Sequence, residues 1–339
     1  MRARLRRSFL RLLRLGVGGV VAIAGAFAYL ALTAADVARN PVEFSIASGS
    51  TLRSVAFQLS AAGIVREPWT FIVLGRFTGK AVSIKAGNYE LSQNASPWAL
   101  LGIVTSGEYR LDEISLIEGW TFRQVRQALN AHAALKHDSL AMTDADVLRA
   151  VGATESHPEG LFFPDTYLFS RNTSDLDVLR RAYAGMQQHV RTLWEKRAPD
   201  LPVASAYQAL ILASIVEKET GKADDRKLIA GVLSNRLRTG MRLQADPTVI
   251  YGLGESFDGN LTRRDLAADG PYNTYTRAGL PPTPIAMPGL ASLDAALHPQ
   301  PTSALYYVAK GDGSSHFSDS LAEHNRAVTK YQKLQANPR

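Results

Sequence analysis

Residues 206–220 read AYQALILASIVEKET and give the clearest structural signal in the chain. Residues 209–216 are almost entirely apolar around the whole circumference of a helix, and a helix of this kind is buried in a core. Ser205 precedes the stretch as a good N-cap residue, and Gly221 follows it as a stop signal. We therefore predict a central buried helix in a mixed α+β catalytic domain, which we place at residues 201–335.

Two glutamates close this helix, and only one of them continues its apolar row. Glu219 follows Ile211 and Ile215 at four-residue steps, in the last turn, where the helix dipole is negative. Apolar neighbours and the dipole both raise the pKa of a carboxyl group, so we expect Glu219 to stay protonated near neutral pH. That property suits a general acid acting on a glycosidic oxygen. The alternative is a solvated helix end, in which Glu217 and Glu219 are surface charges.

Three segments downstream carry further polar and aromatic side chains. Residues 228–237 have the pattern of an amphipathic helix that ends at Gly240. Residues 244–251 are expected to form a turn-prone loop. Residues 271–288 contain five prolines and are expected to form a stiff loop, either to hold tyrosines and an asparagine against a polymer or purely as structure.

The N-terminal residues predict a membrane anchor. Residues 15–35 carry no charge, and their length is close to the roughly 20 residues that cross a hydrocarbon core. Six arginines in residues 1–14 favour a cytoplasmic basic tail, followed by a transmembrane helix at 15–35, a connector at 36–42 and a periplasmic remainder outside the inner membrane. The alternative is a cleaved secretory signal, although apolar cores of such signals usually have about 7–15 residues.

Charge and composition exclude several classes of protein. The net charge of +7 comes from 38 basic and 31 acidic residues. Because six arginines lie in residues 1–14, the rest of the chain is nearly neutral, which excludes nucleic acid as a partner. The chain has no cysteine, and its seven histidines lack metal-ligand spacing, so we expect neither a metal nor another cofactor.

Residues 43–108 predict a small α/β module. Residues 44–46 alternate like a strand, and Ser50 or Thr51 can cap the helix that follows. Further patterns predict a helix at 69–78, a strand at 87–91 and a helix at 100–104. The strand, the Gly-Ser-Thr turn and the helix resemble the start of a LysM-type glycan-binding module. A structural spacer without sugar affinity is the alternative.

Residues 109–200 are assigned to an intermediate region that packs on the catalytic part. The patterns predict a strand at 111–117 and helices at 122–129, 143–152 and 175–194. Residues 159–167 place three aromatic rings around a proline and two carboxylates, which suits either carbohydrate binding or a core-facing strand and turn. We place the main boundary near residue 200, where prolines interrupt the chain.

Four motifs resemble those of the YceG-like family. They read ASIVEKET at 213–220, NRL at 235–237, LQADPTVIYG at 243–252 and YNTYT at 272–276. The similarity also includes residues 159–166 and the ending from Ala309 to Asn325, so that it covers almost all of residues 15–335.

The resemblance implies a function in the bacterial cell wall. The family comprises membrane-anchored endolytic murein transglycosylases, and its catalytic residue is the second glutamate of EKET, which is Glu219 here. This glutamate is expected to act alone on the bond between N-acetylmuramic acid and N-acetylglucosamine. The C6 hydroxyl of the muramic acid is then the nucleophile and forms a 1,6-anhydro ring, so no second carboxylate is needed. Implied partners are peptidoglycan glycan strands and wall-synthesising transpeptidases and glycosyltransferases, with a role in ending nascent strands.

A groove around the cleaved bond completes the expected site. We predict that eight side chains line it: Asn235, Gln244, Asp246, Tyr251, Tyr272, Asn273, Thr274 and Tyr275. Asp246 or Asn273 would steady the positive charge that develops on the sugar. One alternative is a lysozyme-like hydrolase with Asp246 as its second carboxylate. The other is a non-catalytic scaffold that holds glycan.

Overall fold

The computed structural model describes residues 2–35, 42–47, 49–91, 94–107 and 111–333, with side chains left out for residues 2–13 and 333. Most of the predicted connector at 36–42 lies outside these ranges, as do residue 108 of the predicted module and residues 334–335 of the predicted catalytic domain. The described chain is a mixed α+β protein with thirteen α-helices and three two-stranded sheets. Its contacts divide it into two compact units, which are described separately.

The first element is a long helix, α1 (Arg2–Leu32). Within it, Arg14–Leu32 has a mean hydropathy of 2.1, and its side chains are almost all exposed. Among the described residues, α1 is the single helix long and apolar enough to cross a membrane. The helix ends three residues before the predicted end at Ala35.

The first unit contains residues 1–112 and 168–172. After α1 it contains β1 (Val42–Ile46), α2 (Leu52–Ala61), α3 (Pro68–Phe77), β2 (Gly87–Leu91) and α4 (Pro97–Ser106). Strands β1 and β2 pair antiparallel, so that Phe44 lies opposite Tyr89 with ring centroids 5.2 Å apart. Thr51 caps α2 by accepting a hydrogen bond from the backbone N–H of Ser54, which confirms the predicted helix start.

The second unit contains residues 113–167 and 173–339. From residue 112 onward the elements are β3 (Asp112–Ser115), α5 (Phe122–Ala131), α6 (Asp144–Val151), β4 (Thr166–Phe169), α7 (Asp175–Glu195), α8 (Ala206–Glu219), α9 (Ala223–Arg238), α10 (Asp246–Leu253), α11 (Arg263–Ala267), α12 (Leu290–Leu297), β5 (Tyr306–Ala309), β6 (Ser315–Ser318) and α13 (Leu321–Val328). Helix α8 lies at the centre, packed against α7, α9, α10 and α12. Residues 209–216 of α8 are all buried, which confirms the predicted buried helix.

The aromatic motif at residues 159–167 belongs largely to the core. Leu161 and Phe162 are fully buried, and Phe162 stacks on Phe122 with ring centroids 5.0 Å apart. Tyr167 is also buried, and its hydroxyl donates to the backbone oxygen of Phe163 at 2.7 Å. The core-facing interpretation of this motif therefore applies to these residues.

The segment at residues 244–251 does not form the predicted loop. Helix α10 begins at Asp246, so most of this segment is helical. Pro247 lies in the first turn, where its fixed φ favours a helix and its missing N–H costs nothing. Thr248 and Val249 are buried, and their burial is a second reason why this segment forms a helix and not the predicted loop.

Candidate active site

Glu219 is the last residue of helix α8 and lies at the edge of the core. Ser205 caps the helix by accepting from the backbone N–H of Gln208 at 3.1 Å. At the other end Thr220 is extended, with φ of −151°, so that the helix ends directly after Glu219. Glu219 as a whole residue is half-buried, whereas residues 209–216 before it are buried. Glu219 therefore lies where the buried part of α8 meets the surface of the unit.

The protonation of Glu219 is set by four neighbouring influences. Burial raises its pKa to about 7 and is the largest cause, and the negative charge of Asp246 acts in the same direction. A hydrogen bond from the Tyr307 hydroxyl and the positive charge of Arg236 lower this pKa. The carboxyl group is thus balanced between its two protonation states near neutral pH, as the helix position predicted.

Arg236 comes from the last turn of α9 and is buried. Its Nε donates to the backbone oxygen of Leu305 at 2.7 Å, and one terminal nitrogen donates to Leu243 at 2.6 Å. Its guanidinium carbon lies 5.5 Å from the centroid of the Tyr306 ring, a cation–π contact. These contacts fix a positive charge close enough to Glu219 to favour its carboxylate form.

Tyr307 is held by the β5–β6 hairpin. It lies opposite Phe317 in the antiparallel register, with ring centroids 6.2 Å apart. Burial, with the nearby charge of Glu219, raises the pKa of Tyr307 well above its usual value. The hydroxyl therefore keeps its proton and can donate to Glu219 at neutral pH. Neither Tyr307 nor Arg236 was among the predicted groove residues, although Arg236 lies in the NRL motif at 235–237; a tyrosine in a short strand was the available signal for Tyr307.

The predicted groove residues Asp246 and Tyr275 lie close enough to Glu219 for their charges to interact. The Tyr275 hydroxyl donates to the carboxylate of Asp246, which is the first residue of α10. Burial raises the pKa of Tyr275, and the charges of Asp246 and Glu219 raise it further. Gln244 precedes them as an exposed residue in the left-handed region, with φ of 49°. A left-handed conformation of a residue other than glycine is uncommon and concentrates at functional sites.

Three other predicted groove residues are engaged by the chain itself. The amide nitrogen of Asn235 donates to the backbone oxygens of Thr302 and Ala304, at 2.8 and 3.1 Å. The amide nitrogen of Asn273 donates to three carbonyls at the end of α11, the shortest contact being 2.6 Å to Ala268. The hydroxyl of Thr274 accepts from Ala245 at 3.0 Å. These side chains hold the site in place.

Tyr251 and Tyr272 belong to a different cluster. Their rings meet edge to face at 4.9 Å, and the Tyr251 hydroxyl donates to Glu159 at 3.1 Å. Glu159 is 3% exposed and also accepts from the backbone N–H of Phe122 at 2.9 Å. Burial raises the pKa of Glu159 to about 7. Among the hydrogen bonds and ring contacts of the described residues, none joins either tyrosine to Glu219.

The site lacks the donor set of a metal centre. Across the described part of the chain, no three His, Asp or Glu side chains are grouped to hold an ion. The fold and the site together define an α+β protein with a protonatable carboxyl group at the open end of a buried helix.

Comparison with known proteins identifies the family. A model of the YceG-like family matches residues 44–330. The chain belongs to this family. A Bacillus subtilis protein named endolytic murein transglycosylase is 32% identical over 331 residues, with 91% of each chain covered. A Streptococcus pneumoniae protein of the same name is 28% identical, and the match covers 87% of this chain and 59% of the pneumococcal protein.

A solved structure supports the same assignment. The crystal structure of a YceG-like protein from Listeria monocytogenes has a TM-score of 0.53 with 30% sequence identity. The match covers 85% of this chain and 99% of the Listeria chain.

Proposed function

We propose that the chain cleaves peptidoglycan glycan strands internally, between N-acetylmuramic acid and N-acetylglucosamine, and leaves 1,6-anhydro-N-acetylmuramic acid ends. The observation that carries the proposal is the position of Glu219, half-buried at the end of the buried helix α8, with a pKa of about 7 that lets it give and take a proton. Family membership and the transglycosylase relatives support the choice of substrate.

In the first step Glu219 acts as the general acid. Its protonated carboxyl group donates to the glycosidic oxygen, the bond from that oxygen to C1 of the muramic acid breaks, and the N-acetylglucosamine part leaves. A carboxyl group with the usual pKa of about 4.3 would be almost fully ionised at pH 7 and could not donate. Burial of Glu219 therefore supplies the acid form.

In the second step the same group acts as the base. The Glu219 carboxylate takes the proton of the muramic acid C6 hydroxyl while that oxygen bonds to C1, which closes the anhydro ring and restores the acid. Tyr307 and Arg236 stabilise the carboxylate between the two steps, because both favour its charged form. No water is consumed, so this chemistry needs no second carboxylate.

The groove residues have different roles in this proposal. Asp246, with Tyr275 bound to it, is the group that would steady positive charge on the sugar, because its charge already acts on Glu219. Gln244 is exposed and would contact substrate. Asn273 is the weaker candidate for charge stabilisation, since its amide is occupied by backbone carbonyls.

The proposed location is the periplasmic side of the inner membrane. Helix α1 would be the single-pass anchor with its N-terminus in the cytoplasm, because Arg14 and the preceding arginines flank one end of its apolar part. The region 43–108 would be a LysM-like module, followed by the intermediate region 109–200 and the catalytic domain 201–335. Wall-synthesising transpeptidases and glycosyltransferases would be partners, and the enzyme would end nascent strands.

Product analysis of Glu219→Gln tests the proposal. The full chain in detergent micelles is incubated with uncrosslinked glycan strands, and the fragments are examined by mass spectrometry. We expect wild-type fragments one water lighter than hydrolysis products and an activity at least about 100-fold lower in the variant, as for loss of a general acid.

Glu217→Gln is the matched control, because Glu217 lies two residues earlier and accepts from the backbone N–H of Gly289 at 2.9 Å, which an amide oxygen can also do. Full activity of Glu219→Gln would refute the catalytic role and favour a scaffold. Reducing muramic acid ends from the wild type would instead identify a hydrolase.

A further inference from the structure

Helix α3 of the first unit exposes an apolar stripe. Trp69, Val73 and Phe77 follow one another at four-residue steps on one side of the helix, and all three are exposed, Phe77 by 88%. The opposite side, with Phe71 and Leu74, is buried in the core of the unit. A contiguous apolar patch of this kind, exposed to water, is typical of a site that contacts a ligand, a protein or a membrane.

The stripe begins beside the apolar part of α1. The rings of Phe27 and Trp69 lie with centroids 6.0 Å apart, and Ala31 is buried in the core of the first unit. At the start of α4, Pro97 lines a cavity together with Tyr29 and Leu30 of α1. The first turns of α3 and α4 are therefore level with the last turns of α1.

The rise per residue of α1 gives the depth in the membrane at which Phe27 contacts Trp69. The apolar segment Arg14–Leu32 has 19 residues. At about 1.5 Å per residue its length matches the roughly 30 Å of a hydrocarbon core. Phe27 lies about 7 Å inside the outer end of that segment by the same rise. An interfacial amphipathic helix lies at a similar depth, about 5–10 Å into the boundary between headgroups and acyl chains.

The chemistry of the surrounding surface fits a lipid headgroup layer. Trp98, half-exposed in the first turn of α4, and Tyr29 of α1 add to Trp69 the residue types that are enriched at membrane interfaces. Arg76, beside the stripe, and Lys80, just after α3, are exposed cations that can reach anionic headgroups while their stems cover apolar surface.

We propose that the α3 stripe, defined as Trp69, Val73 and Phe77, inserts into the interfacial layer of the membrane that α1 crosses. The first unit then contacts the bilayer through α3 as well as through the anchor helix α1. The proposal depends on the membrane-spanning role of α1 that is proposed above. It gives the aromatic surface of α3 a lipid partner in place of a glycan strand.

Spin labels at single cysteines test this contact in the full chain, which has no cysteine of its own. Labels are placed at Val73→Cys and Phe77→Cys, with Val21→Cys on the exposed side of α1 as the membrane reference and Ser45→Cys on β1 as the exposed reference within the same unit. The chain is reconstituted in vesicles of neutral and anionic phospholipids. Collisions with oxygen, which concentrates in lipid, and with a water-soluble nickel complex are then measured.

We expect positions 73 and 77 to lose nickel collisions and gain oxygen collisions relative to position 45, in the direction shown by position 21. If position 21 is in lipid while positions 73 and 77 are as accessible to nickel as position 45, the inference is wrong and the anchor stands. Nickel access at position 21 would refute the anchor and the inference together. Protection of positions 73 and 77 only after glycan strands are added would also overturn the inference, in favour of a sugar-binding face.

Discussion

Replacing Tyr307 by phenylalanine should move the pH dependence of strand cleavage to higher pH. The Tyr307 hydroxyl donates to Glu219 and lowers its pKa. Without the hydroxyl, the increase in pKa that burial causes is compensated less. The pKa of Glu219 then rises above its present value of about 7. In the proposed mechanism cleavage begins with the protonated acid, so the alkaline limb of kcat/KM should follow this pKa and rise with it.

The size of the effect follows from the two forms of the hydrogen bond. A bond to a charged group contributes about 1.5–3 kcal/mol and a bond between neutral groups about 0.5–1.5 kcal/mol. The hydroxyl therefore favours the carboxylate form of Glu219 by about 1–1.5 kcal/mol, since both protonation states can use it. At about 1.4 kcal/mol per pH unit, the alkaline limb should move up by roughly one unit.

Two measurements check this prediction. The first is the pH profile of kcat/KM for the full chain, and the second is the titration of Glu219 by NMR of ¹³C-labelled glutamate, assigned with Glu219→Gln. Tyr306→Phe is the matched control, because it also removes a hydroxyl from β5 but keeps the ring that lies against Arg236 and stacks on His324 with centroids 5.3 Å apart. A Tyr307→Phe enzyme that loses activity at every pH without a shift of the limb would show that the hydroxyl does not tune the acid.

Two further predictions concern stability. The folded-state pKa of Glu159 is about 7 against an ordinary 4.5, so the stability it contributes is complete below about pH 4.5 and is lost as pH rises through about 7. Glu159→Gln should remove about 3 kcal/mol of this pH dependence, measured as the free energy of unfolding at pH 5 and pH 8, and an unchanged slope would contradict it. Asn273→Ala should cost about 2–3 kcal/mol, because three carbonyls lose their donor, and calorimetry should show a lower Tm; an unchanged Tm would remove its proposed structural role.

Local signals were sufficient to predict the helix that carries Glu219. The Ser205 cap, the apolar run at 209–216 and the end of α8 depend on neighbours within a few residues, and such interactions can be read from sequence. The same holds for α5, which was predicted at 122–129 and begins at Phe122 after a capping box of Thr121 with Gln124.

Contacts between segments that are distant in sequence could not be predicted from local sequence patterns. The approach of β5 to α9 and α8 brings Tyr307 and Arg236 to Glu219, and nothing in their own neighbourhoods specifies it. No helix or strand was predicted beyond residue 289, although α12 packs directly on α8. Short elements of this kind, with four to eight residues, carry too few periodic positions to be recognised alone.

Polar residues beside turns were the least predictable part of the site. Asn235 and Asn273 have the same side chain that would bind a sugar hydroxyl, but their amides satisfy carbonyls that would otherwise remain unpaired. A buried carbonyl without a donor costs about 1–3 kcal/mol, so a folded chain uses nearby amides for this purpose first. Only the three-dimensional arrangement shows which amide remains available to a ligand.

Two glutamates have a pKa of about 7, and the proposed mechanism distinguishes them by their access to a ligand rather than by their proton affinity. Glu159 and Glu219 share the same cause, burial, and reach the same value. Glu159 is 3% exposed and is enclosed by Phe122 and Tyr251, so no glycosidic oxygen can approach within hydrogen-bonding distance. Glu219 is half-buried at the end of α8, and the proposed mechanism therefore assigns the proton transfer to it.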